Sequence, residues 1–133
     1  MNNNIVSTIQ CMPDFIGGNG RSEIEIENAE KILSLIFAKD FRTYLLEIGI
    51  ACFDGHELTG ICTSSRLNVV DVTINERTNN PDVPNDWYVI EQANIDGIVI
   101  WQNLKGEVYQ TQPCCDSIKI ANSIVEYVTL NKA

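Results

Sequence analysis

His56 is the single histidine of the chain, and it follows Cys52 and Asp54 at alternate positions. A thiol nucleophile, a carboxylate to orient and an imidazole to accept a proton are the parts of a covalent hydrolytic site. Such a site requires the side chains to meet in space. Cys52 lies inside the apolar run Ile50–Phe53, where burial disfavours a thiolate. His56 beside Gly55 on a tight turn is expected to be solvated, and catalysis is discounted. Cys52, His56 and Cys62 have Cys-x3-His-x5-Cys spacing, which lacks the fourth ligand of a structural zinc site. Cys114-Cys115 could supply one, but adjacent residues on a strand point to opposite faces. These vicinal cysteines could also form a redox switch. Two thiols in a loop led by Pro113 is the simpler reading. Gly17-Gly18-Asn19-Gly20 lacks the Gly-Lys-Ser/Thr ending of a phosphate loop and follows no strand, so it reads as a turn. No metal and no cofactor is expected.

The acidic residues carry more weight. Eighteen Asp and Glu face nine Lys and Arg, a net charge of −9. That balance argues against nucleic acid as a direct ligand, because phosphate recognition needs clustered cations. It suits association with a basic protein. Between residues 71 and 96, Asp71, Glu76, Asp82, Asp86, Glu91 and Asp96 stand against the single Arg77. Asp82, Asp86, Glu91 and Asp96 are therefore the candidate partner-binding residues, with Asp82 and Asp86 foremost because they lie in an adaptable loop. The competing reading is a solvated rim. Glu23, Glu25 and Glu27 are better explained as helix-start residues favoured by the helix dipole.

The elements that must position these residues can be read in order. A short helix is expected over Ile5–Gln10, then a break from Pro13 through Gly20, where no regular structure is expected. Ser22-Glu23-Ile24-Glu25 has capping-box form. It opens a helix carrying Ile26, Ala29 and Leu33, with Ile32 and Ile36 alongside, as one buried stripe. A second helix spans about Lys39–Ile48, with Phe41, Tyr44, Leu45 and Ile48 on one face and Gly49 as its left-handed cap. The two should pack as a helical hairpin. Ile50–Phe53, Asp54-Gly55 and Glu57–Thr59 read as strand, turn and return strand.

Asn68–Asn79 is ambiguous. Val69, Val70, Val72 and Ile74 favour a strand, whereas Asn68 as N-cap with Asp71 at N3 favours a helix, which is preferred. Residues 79–86 form a loop. Trp87–Ile90, Gly97–Gln102 and Glu107–Thr111 are strands of a meander. Ile98–Trp101 is apolar throughout, as a central strand covered on both faces would be. Trp101 is expected in the core, and one of the two tryptophans could be half exposed. Ser123–Glu126 repeats the capping-box pattern and opens a closing helix with Ile124, Tyr127 and Val128 inward.

Length and composition set the frame. The 133 residues are 44% hydrophobic and 20% charged, enough for one domain that buries roughly 65–70% of its unfolded surface. No window offers the roughly 20 apolar residues of a membrane span. The first residues lack the basic and apolar segments of a secretory signal. Five cysteines, an odd number, suit a reducing compartment, so a cytoplasmic location is expected. The fold class is α+β: a single domain over residues 1–133 whose small antiparallel sheet packs with N-terminal helices and a C-terminal helix.

From about Ser22 to Tyr127 this order of features resembles the SUKH superfamily, named in part for a fungal cell-wall-synthesis regulator. The resemblance rests on the Ile24–Ile36 helix leading into Phe37–Leu46 and Gly49, and on Asp54-Gly55-His56-Glu57-Leu58-Thr59-Gly60. It continues through Asn68-Val69-Val70, Trp87–Glu91, Gly97–Trp101, Gly106–Tyr109 and the Ser123–Tyr127 helix. It departs at Phe37-Ala38, where members often carry Leu-Pro. The resemblance implies a non-enzymatic binding module, and for bacterial members an immunity protein that occludes a polymorphic or contact-dependent toxin, often a nuclease. The implied partner is a basic toxin domain. The alternative within the same fold is an intracellular scaffold or regulatory interaction domain.

Overall fold

The computed structural model describes residues 4–130. In chain order the elements are α1 (Ile5–Gln10), β1 (Ile16–Gly17), α2 (Glu23–Leu33), α3 (Lys39–Glu47), β2 (Ala51–Phe53) and β3 (His56–Leu58). Then follow α4 (Val69–Asn79), β4 (Tyr88–Gln92), β5 (Val99–Gln102), β6 (Val108–Thr111), β7 (Ile118–Ala121) and α5 (Ile124–Leu130). The seven strands form one antiparallel sheet in the order β1 to β7. The α+β class and the antiparallel sheet are as expected.

Local chemistry accounts for the helix starts. The Ser22 hydroxyl accepts from the Glu25 amide while Glu25 accepts from the Ser22 amide, so two donors that a helix start leaves unpaired are satisfied. Asn68 Oδ1 accepts from Val70 N at 2.9 Å and starts α4, which settles 68–79 as helix. At the last helix Ser123 Oγ accepts from Glu126 N, and Glu126 reaches back one residue further, to the Asn122 amide. Asp40 joins three elements: its carboxylate accepts from Gln102 Nε2 on β5 and from Ile124 N at the start of α5, both at 3.0 Å.

Several expectations are corrected. The Gly-rich segment was expected to be irregular, yet Ile16-Gly17 pairs with β2, and Gly18 N donates to Ile50 O at 2.8 Å. Close approach explains the glycines: a Cβ at Gly20 would lie 1.9 Å from the Leu46 carbonyl oxygen. β7 was not expected; it pairs with β6 across a register shift and extends the meander. α2 stops at Leu33, because Ser34 takes a left-handed conformation (φ 57°). Ile36, beyond this stop, is 54% exposed, and Ile32, inside the helix, is 63% exposed; both lie outside the stripe of Ile26, Ala29 and Leu33. Ile32 lies about 120° around the helix from Ile26. Gly49 does adopt the left-handed conformation expected after the second helix, with φ 80°.

The junction at Phe37-Ala38 is held by distant side chains. Glu30, buried on α2, accepts from Phe37 N at 2.9 Å and from Arg42 on α3 at 3.1 Å. Tyr88 OH accepts from Ala38 N at 2.8 Å. Phe37, Phe41 and Tyr88 meet as a ring cluster with centroids 4.8–5.1 Å apart.

The sheet divides the apolar residues by its two-residue period. Ala51, Phe53, Leu58, Tyr88, Ile100 and Val108 join residues of α1, α2, α3 and α5 in the main core. Val89, Val99 and Trp101 join Val72 of α4 and Trp87 in a second cluster on the other face. β5 is thus buried on both faces, as its apolar run implies. Both tryptophans are buried, Trp101 fully and Trp87 to 7% exposure. Thr73 Oγ1 accepts from Val89 N at 3.0 Å and fixes α4 against β4.

Candidate functional site

The four acids singled out from the sequence separate into two environments. Asp82, Asp86 and Asp96 are exposed. Asp82 lines a cleft of about 450 Å³ between the end of α4 and the β6–β7 loop, opposite Cys114, Cys115 and Asp116. Asp96 lies on the β4–β5 turn, where Gly97 abuts Pro113 of that same loop. Asp86 precedes Trp87, whose ring stacks on Tyr109 at 4.2 Å. Half-buried Tyr109 donates to Glu107, which also pairs with Lys119. Burial and then the charges of Glu107 and Asp86 raise the Tyr109 pKa above the usual phenol value. Among the described residues Asp82, Asp86 and Asp96 form no ion pair. Asp86 thus stands beside a partly exposed aromatic stack, whereas Asp82 and Asp96 lie toward the β6–β7 loop.

Glu91 does not belong with these three. It is 5% exposed. The register shift between Val89 and Glu91 turns both Ile90 and Glu91 toward the helices. There the carboxylate accepts from His56 Nδ1 at 2.9 Å, Tyr127 OH at 2.6 Å and Glu57 N at 3.1 Å. His56 was expected to be solvated on its turn; its side chain is 13% exposed. The hydrogen bond that His56 donates to Glu91 raises the His56 pKa, burial opposes that, and the charges of Glu91 and Asp54 add to it. Burial, followed by the Glu91 charge and hydrogen bond, raises Tyr127 well above the ordinary phenol range.

Cys52 and His56 do not form a nucleophile–base pair. Cys52 lies opposite Glu57 in the β2–β3 register, whereas His56 lies opposite Phe53 on the core side. Cys62 Sγ instead meets the Ser64 carbonyl. Among the described residues no three His, Cys, Asp or Glu side chains converge as a metal site would require. Cys114 and Cys115 are exposed, free thiols on the β6–β7 loop. No helix among the described residues is long and apolar enough to cross a membrane.

Sequence reasoning missed Asp116 and Tyr109 as neighbours of the acidic loop. The β7 run Ile118–Ala121 held the signal, since a strand there returns Asp116 to the side where α4 ends. It also missed the His56–Glu91–Tyr127 cluster, whose members are 35 and 36 residues apart and share no local motif.

No curated protein matches this chain at a significant level. The SUKH_5 family model, described as SMI1-KNR4 cell-wall, matches residues 2–129, nearly the whole chain. With that match, a seven-stranded antiparallel sheet and its helical layers in place, the chain belongs to the SUKH (SMI1-KNR4) family.

Proposed function

We propose that this protein is an immunity-type binding protein, which neutralises a basic toxin domain by occupying its surface in a one-to-one complex. The observation that carries this reading is the set of carboxylates Asp82, Asp86 and Asp96, exposed and without cation partners among the described residues, with Asp86 next to the Trp87–Tyr109 stack. Surface carboxylates with no cation of their own to exchange attract a cationic partner and steer its approach. The aromatic stack beside Asp86 offers the rigid apolar contact typical of binding hot spots. Family membership supports the same reading. This mode needs neither turnover nor cofactor, and it places the protein in the compartment that the toxin attacks, the cytoplasm.

The test is capture from lysate of the source cells at low salt, with the wild type and an Asp82→Lys/Asp86→Lys variant immobilised side by side. The expected result is one basic toxin domain, held by the wild type, lost by the variant, and inactive when mixed with one equivalent of wild type. Equal capture by both proteins, or toxin activity that persists at saturation, contradicts the proposal. Several ordinary cellular proteins and no toxin would point to a scaffold or regulatory domain instead.

A further inference from the structure

On the helix-covered face of the sheet, a cleft of about 410 Å³ opens between β3, β4, β5, β6, β7 and α5. Its size is at the low end for small-ligand clefts. His56, Glu91 and Gln110 supply polar groups, and Ile98, Ile120 and Leu130 supply aliphatic wall. Glu91 is an acceptor only, so the proton between it and His56 sits on Nδ1. Among the described residues, His56 Nε2 and the Gln110 side-chain amide have no hydrogen-bond partner. When His56 is protonated, its Nε2–H is a donor beside the Gln110 amide and an aliphatic wall.

We propose that this cleft binds a carboxamide carried on a branched aliphatic body. The ligand carbonyl accepts from His56 Nε2–H, its N–H donates to Gln110 Oε1, and its aliphatic part lies against Ile98, Ile120 and Leu130. A free aliphatic amide presents that chemistry, and so does a polypeptide backbone at Leu, Ile or Val. The site stands apart from the toxin-binding reading, because the cleft lies on the sheet face opposite the Trp87–Tyr109 stack.

The His56 ring gives the site a built-in pH dependence. Glu91 of β4, Tyr127 of α5 and Asp54 of the β2–β3 turn are the titratable groups around it. While His56 is protonated, Nε2 is a donor. Once it is neutral, Nδ1 keeps its proton for Glu91, Nε2 becomes an acceptor, and a ligand carbonyl is repelled.

The probes are isovaleramide and N-acetyl-leucine N-methylamide, titrated into isotopically labelled protein while the His56 ring nitrogens and the Gln110 side-chain amide are followed by NMR. Saturable shifts at both residues are expected, weakening as pH rises through the His56 titration. Gln110→Ala should weaken binding roughly two- to tenfold, the value of one hydrogen bond. His56→Gln, with its fold confirmed by spectral dispersion, should abolish the pH dependence. Binding of isovaleramide alone identifies a free small amide as the source; binding of the blocked leucine at least as tightly identifies a polypeptide. No shift with either probe at concentrations on the order of 10 mM, or binding indifferent to both substitutions, overturns the proposal.

Discussion

Glu91 holds His56 from 35 residues away, with Oε1 2.9 Å from Nδ1, and the same oxygen takes the Tyr127 hydroxyl at 2.6 Å. One carboxylate thereby joins β3, β4 and the closing helix α5. A carboxylate this buried persists because its acceptor sites are filled.

Replacing Tyr127 with Phe removes one of those donors and leaves the ring. The expected loss is about 1–2 kcal/mol, read as a fall of roughly 3–8 °C in thermal midpoint. An unchanged midpoint would mean that the Tyr127 hydroxyl adds nothing to the hold on α5.

The pair also makes stability depend on pH, with a defined sign. The His56 pKa is raised in the folded protein, first by its hydrogen bond to Glu91, so the native state binds this proton more tightly than the unfolded chain does. The added stability is complete below the unfolded value of about 6.5 and is lost as pH rises through the folded value. The stability difference between wild type and Glu91→Gln, measured by urea denaturation, should therefore shrink from pH 6 to pH 9. A difference that stays constant or grows would contradict the assignment.

Glu30 is the second buried carboxylate, 7% exposed and shared between Phe37 N and Arg42. Glu30→Ala strands the Phe37 backbone donor at the α2–α3 junction and leaves Arg42 with Glu23 as its ion-pair partner. A loss of about 1–3 kcal/mol is expected, and Glu30→Gln, which can still accept from Phe37 N, should lose less. Equal losses would show that the carboxylate charge, which both variants lack, and not volume or a neutral acceptor holds this junction.

Tyr109 should separate binding from folding. It is half-buried, donates only to nearby Glu107, and stacks on Trp87. Tyr109→Ala is expected to cost the partner complex about 2 kcal/mol or more, the range of a hot-spot aromatic. Wild-type affinity in a folded Tyr109→Ala variant would remove the stack from the interface.

What could be read from the sequence follows the range of the interactions responsible. Ser22 with Glu25, Asn68 with Val70 and the Asp54-Gly55 turn act over two to four residues, and each places its element correctly. β1 escapes because Ile16-Gly17 is two residues long, and β7 because the alternation in Ile118–Ala121 spans only four residues, two of them exposed. Ile32 is exposed because it lies off the Ile26–Ala29–Leu33 face, and Ile36 because α2 stops early at Ser34, a left-handed serine where glycine is the usual signal. Glu91 had the residue type of a surface acid. A register shift in β4 turned it inward, and that shift depends on pairing with β5.

The most direct test of the central claim is the association rate of the purified toxin domain with this protein as salt is raised, for the wild type and for Asp82→Lys/Asp86→Lys. The account predicts saturation at one equivalent with loss of toxin activity, a wild-type rate that falls steeply between low and physiological salt, and a much slower, nearly salt-independent rate for the variant. Identical rates and salt slopes for the two proteins would contradict it.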